Sequence, residues 1–173
     1  MKLADTDFAL FGLLQRFELD TADLDARWRR LQGSAHPDRH AAEGGAVRRV
    51  AMQWSVRINE AYRRLRDPLA RAAYLCELRG APIEANSNTA MPADFLHQQM
   101  QWRENLEDAK VPETLQTLQH QVREAEASLF ADLGRVLDDP AAAPAPAVER
   151  VRALMFIARF RGDLERRLDL LHD

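Results

Sequence analysis

His36, Pro37 and Asp38 place an imidazole and a carboxylate on either side of a ring that restricts the backbone, so both are presented with little freedom to lose on binding. Asp38 can accept charge-assisted hydrogen bonds from an arginine of a partner protein. A few residues upstream, Arg27, Arg29 and Arg30 form a basic cluster that can steer this segment toward an acidic surface. His40 follows His36 by four residues, a spacing that suits a metal only on a continuous helix. Pro37 interrupts any such helix, and no third ligand is near. Cys76 is the single cysteine, which excludes an internal disulfide and a multi-cysteine zinc site and reads as a small buried hydrophobe. No P-loop, dinucleotide glycine fingerprint, GxSxG elbow or HExxH occurs, so neither a catalytic residue nor a cofactor or metal is expected.

The elements that must position these residues are helical, because apolar residues recur at spacings of three and four. A short helix at Phe8–Leu10 stops near Gly12. Asp20 or Thr21 can cap a second helix with Leu24, Trp28, Leu31 and Ala35 inward, and Pro37 requires that helix to end before the tripeptide. A third runs over about residues 47–66, with Ala51, Trp54, Ile58, Ala61 and Leu65 on one stripe, and should pack antiparallel to the second. Asp67-Pro68 breaks it, and a shorter helix from Leu69 ends near Gly80. Residues 80–92, GAPIEANSNTAMP, mix Gly, Pro, Asn and Ser without periodicity and read as a connection with its linker at 81–91, dividing the chain into domains at 1–80 and 92–173. Three amphipathic helices follow at about 92–109, 112–138 and 146–172. The middle one carries Leu115, Leu118, Val122, Ala125, Leu129, Leu133 and Val136 as a seam. Asp139–Ala147, DPAAAPAPA, reads as a connector that resists helix. The fold class is all-α: an antiparallel hairpin with a loop tripeptide, then a three-helix bundle.

Charge divides the halves. Residues 27–79 hold 12 arginines against 5 acidic side chains, and the rest of the chain holds 12 basic against 22 acidic residues, so the net charge of −3 conceals two surfaces for different partners. A pI near 6 and basic residues interspersed with core positions argue against nucleic acid. No apolar stretch has membrane-spanning length, and acidic residues occupy the start where a signal peptide needs positive charge. A soluble, cytoplasmic protein is expected.

Around the tripeptide, the chain resembles a J-domain. The resemblance is carried by DF-x-LFGL at Asp7–Leu13, WRRL at Trp28–Leu31, His36-Pro37-Asp38, INEAY at Ile58–Tyr62 and DP-x-x-RA-x-Y at Asp67–Tyr74. It implies that His36, Pro37, Asp38 and the basic face of Arg27, Arg29 and Arg30 engage a heat-shock chaperone and accelerate ATP hydrolysis there. Ala35 stands where J-domains often carry an aromatic, and Gly33-Ser34 where they carry an apolar and a basic residue.

The N-terminal J-domain with a compact acidic helical domain behind it, together with LFGL, RAAYLCELRG and AMPADFLHQQMQWRENLED, is similar over nearly the full length to the HscB family of iron-sulfur cluster co-chaperones. The helical wheel turns Leu96 and Met100 away from the inward stripe of Phe95, Trp102, Leu106 and Ala109, and sets Phe156 about 90° off the stripe of the last helix. An exposed apolar patch of Leu96, Met100 and Phe156 is expected, rimmed by Gln101, Glu104 and Asp108. The resemblance implies that these residues and His97 bind an IscU-type scaffold protein for delivery to an HscA-type chaperone. Gln101 replaces an acidic residue of the family pattern and His97 an apolar one. Two other readings stand beside this one. One is a co-chaperone of a general DnaK-type chaperone with a different client. The other is a helical scaffold or nucleic-acid-binding protein in which the tripeptide is incidental.

Overall fold

In a computed structural model of the chain, residues 2–35, 44–83 and 91–172 are described, and their regular structure is helical throughout. The chain forms two compact units, residues 1–75 and 76–173. The division falls inside the fourth helix, ahead of the connection expected at 81–91.

The first unit is built on three helices, α1 (Asp7–Phe11), α2 (Thr21–Ala35) and α3 (Gly45–Arg66), and most of α4 (Pro68–Leu78). Thr6 caps α1 by accepting from the Ala9 amide at 3.2 Å, and Gly12 ends it at φ 64°, a left-handed conformation that costs glycine little. Asp20 begins α2 by accepting from the Ala22 amide at 2.8 Å and the Asp23 amide at 3.2 Å. Bonded side-chain pairs along α2 and α3 run 25 with 62, 28 with 59 and 32 with 55, so the two helices are antiparallel. Leu24, Ala51, Ile58, Ala61 and Leu65 are buried between them, as the spacing predicts, and Phe8, Leu10 and Phe11 of α1 complete this core.

The second unit holds α5 (Ala93–Asp108), α6 (Pro112–Asp138) and α7 (Ala145–His172). Ion pairs of Glu126 with Arg161 and Asp132 with Arg150 set α6 and α7 antiparallel. The core gathers Phe95, Trp102, Leu118, Val122, Ala153, Phe156, Ile157, Phe160 and Leu164. Near the end of α6 the buried residue is Leu137, with Val136 only partly covered. A 3.6-residue period makes four residues after Leu133 the better fit to the core. The Pro/Ala connector also ends earlier than expected. Ala145 and Pro146 already lie in the first turn of α7, where a helix tolerates proline because its N–H would have no intrahelical partner. None of the described helices is long and apolar enough to cross a membrane.

Candidate partner-binding surfaces

The tripeptide His36-Pro37-Asp38 lies outside the described residues, and so does His40; what the structure shows is the scaffold that bears them. Trp28 Nε1 donates to Asn59 Oδ1 at 2.9 Å, and Gln32 reaches the same oxygen. Ser55 Oγ donates to Gln32 Oε1 at 3.1 Å. One turn further from the tripeptide, Trp28 stacks on Tyr62 with ring centres 4.6 Å apart, and Tyr62 donates to Asp25 Oδ1 at 2.9 Å. Burial, and then the bond to Asp25, raise the Tyr62 phenol above its ordinary value, so it remains a donor. These contacts fix the register of α2 on α3 up to Ser55 and Gln32, one turn from where α2 ends at Ala35. Sequence reasoning placed Asn59 and Tyr62 in a motif but did not find that Gln32 and Ser55 extend the same ladder.

The other motif residues brace the hairpin from outside. Asp7 is 1% exposed, with its carboxylate 2.7 Å from Arg57 and 3.3 Å from Arg64. Its backbone N–H donates to Tyr74 Oη at 3.1 Å, and Tyr74 stacks on Phe8. Asp67 caps α4 through the Ala70 amide at 2.8 Å, and Arg71 donates to the Leu65 carbonyl while covering the Phe17 ring at 5.0 Å.

Of the three arginines expected on the partner face, Arg29 and Arg30 are exposed. Arg27 is not available in the same way. Its Nε contacts both Asp23 carboxylate oxygens at 2.9 Å, and Nη1 donates to the Phe11 and Gly12 carbonyls at 2.9 and 3.0 Å. It closes the C-terminus of α1, where carbonyls lack intrahelical donors.

On the bundle, Leu96 is 40% and Met100 60% exposed, and His97, Gln101, Glu104 and Asp108 are exposed with them. Phe156 is 6% exposed, which corrects the expected patch. Its ring meets Phe95 edge-on at 5.7 Å, stacks on Phe160 at 5.7 Å, and lies 5.3 Å beneath the Arg103 guanidinium. The wheel assumed one inward stripe on α7, whereas α7 packs on both α5 and α6 and therefore buries a wider face.

The expected residues consequently divide across α5. Leu96, Met100, Arg103 and Glu107 recur at four, three and four along the side toward α7, above a groove of about 560 Å³ lined by Phe156, Phe160, Arg159 and Asp163. Gln101 and Glu104 lie toward α6, beside a second groove. Among the described residues, no group of three His, Cys, Asp or Glu side chains is arranged to hold a metal ion.

Known proteins resemble this chain at both the sequence and the structural level. A family model described as the HSCB C-terminal oligomerisation domain matches residues 91–165. The co-chaperone protein HscB homologue of Ralstonia nicotianae is 46% identical over 98% of this chain and 98% of its own, and that of Burkholderia multivorans 47% identical over 99% and 98%. The solved structure of chaperone HscB from Vibrio cholerae superposes with a TM-score of 0.81 at 34% identity, covering 96% of this chain and 99% of that one. Human co-chaperone HscB, at 22% identity, shares the fold with a TM-score of 0.86 over 96% of this chain and 83% of its own. A braced J-domain hairpin followed by a three-helix bundle, together with near-full-length identity of this order, places the chain in the HscB family of co-chaperones.

Proposed function

We propose that this co-chaperone is an adaptor in iron-sulfur protein maturation: it holds an IscU-type scaffold on α5, delivers it to an HscA-type chaperone, and stimulates that chaperone's ATPase through His36-Pro37-Asp38. The observation that carries the client half is the pair Leu96 and Met100, large apolar side chains left 40% and 60% exposed on a helix whose other large apolar residues, Phe95, Trp102 and Leu106, pack in or against the core. His97, Gln101, Glu104 and Asp108 rim them with polar and acidic groups suited to a basic, apolar partner surface. Phe156 supports this surface from below, under Arg103. The chaperone half rests on the hairpin, whose ladder fixes α2 on α3 to within one turn of Ala35, and on the exposed cations of Arg29 and Arg30. The ATPase chemistry belongs to the chaperone, and holding client and chaperone on one chain raises their effective concentration.

The test uses the full chain. Steady-state ATPase of an HscA-type chaperone should rise with wild type and return to its basal rate with Asp38→Ala; equal stimulation by both would refute the mechanism. In calorimetric titration with an IscU-type scaffold, Leu96→Ala combined with Met100→Ala should weaken binding at least tenfold, about 1.4 kcal/mol. Unchanged affinity would place the client elsewhere.

A further inference from the structure

The groove between α5 and α6, of about 610 Å³, differs in chemistry from the aromatic-floored one on the α7 side. Four amide side chains line it, Gln98, Gln101 and Asn105 from α5 and Gln121 from α6, with the carboxylates of Glu104 and Glu124 among them. Each amide offers both a donor and an acceptor, the same pair that a peptide main chain presents. Beneath them lies Trp102, 1% exposed. Its ring is held between Phe160, stacked at 5.8 Å, and Phe95, edge-on at 5.9 Å. These contacts fix the indole but leave Nε1 without an acceptor among the described residues. A buried donor in that condition is costly and gains from any carbonyl that reaches it. Glu124 has His120 3.3 Å away as an exposed ionic neighbour, which competes only when protonated. Residues 76–173 carry 17 acidic against 11 basic side chains, so the surrounding field also favours a cation.

We propose that the α5–α6 groove binds an extended polypeptide segment bearing lysine or arginine. The amides take the main chain, Glu104 and Glu124 take the cation, and the Trp102 N–H donates to a main-chain carbonyl. The inference rests on the client-holding reading for the source of the segment, and it extends that surface onto α6, to Gln121 and Glu124.

The experiment follows indole N–H resonances of the full, isotopically labelled chain, with Trp102→Phe identifying the Trp102 signal. Acetyl-Ala-Lys-Ala-Lys-Ala-amide should shift that signal saturably, and by more than those of Trp28 and Trp54. Acetyl-Ala-Glu-Ala-Glu-Ala-amide should leave it in place. Gln121→Ala combined with Glu124→Gln alters two exposed positions and should keep the wild-type melting curve while weakening the basic peptide at least fivefold. A missing shift, an equal response to the acidic peptide, or an unchanged affinity in the double variant overturns the proposal. Titration with the IscU-type scaffold is read separately. Failure of the scaffold to bind counts against the adaptor, whereas the peptide results decide the groove.

Discussion

At the scale of single residues, burial separates side chains that hold the fold from those left for partners. Phe156 belongs with the first. Phe156→Ala should cost about 3–5 kcal/mol in denaturant unfolding, because the space between Phe95 and Phe160 cannot collapse around a methyl group. Leu96→Ala and Met100→Ala, at exposed positions, should each cost less than about 1 kcal/mol, so they are the cleaner probes of binding. Asp7 is similarly structural: Asp7→Ala leaves Arg57 and Arg64 without their shared carboxylate and should destabilise the first unit by about 2 kcal/mol, discounted because both arginines retain contact with water. Cys76 is fully buried, and burial pushes its thiol up to about 11, against the opposing pull of Arg79. A folded-state value above the ordinary one near 9 means that the stabilisation is complete below pH 9 and is lost as pH rises through 11. Wild type should therefore lose about 2–3 kcal/mol relative to Cys76→Ala over that interval, measured by urea midpoints.

At the scale of helices, most of the architecture was legible in the sequence. The spacing of apolar residues located the seven helices seen among the described residues within about two residues, and Asp20, Gly12 and Pro112 are capping or first-turn residues that act locally. What escaped the sequence depends on contacts between elements. Arg27 looks like a solvated cation on the helix wheel, and only the position of α1 against α2 reveals that its guanidinium caps the Phe11 and Gly12 carbonyls. Phe156 looked exposed because a wheel cannot show that α7 has two neighbours. The amide groove is invisible to apolar periodicity, since its lining comes from two helices and contains no hydrophobic repeat. Arg27→Ala should accordingly lower stability by about 1 kcal/mol and leave the salt dependence of chaperone stimulation close to wild type, whereas Arg29→Ala and Arg30→Ala should flatten that dependence with little change in melting temperature. ATPase titrations at several ionic strengths, paired with thermal melts, distinguish the two behaviours.

At the scale of the whole molecule, the two units carry opposite charge, and in each of them aromatic packing fixes the helices whose surfaces are proposed for a partner. In the first, stacked aromatics and a shared carboxamide lock α2 and α3 antiparallel. In the second, a cluster of four aromatic rings supports α5, leaving one groove floored by phenylalanine and another lined by amides. The cations that face outward from α2 are guanidinium groups without exception, and side-chain amines occur in the chain only at Lys2 and Lys110. Guanidinium stays charged well beyond physiological pH and does not accept an acetyl group as a lysine amine does. If α2 makes the proposed chaperone contact, its attraction is insulated from acylation by reactive metabolites and from shifts in cellular pH, and amine-directed labels will report on the chain without touching α2.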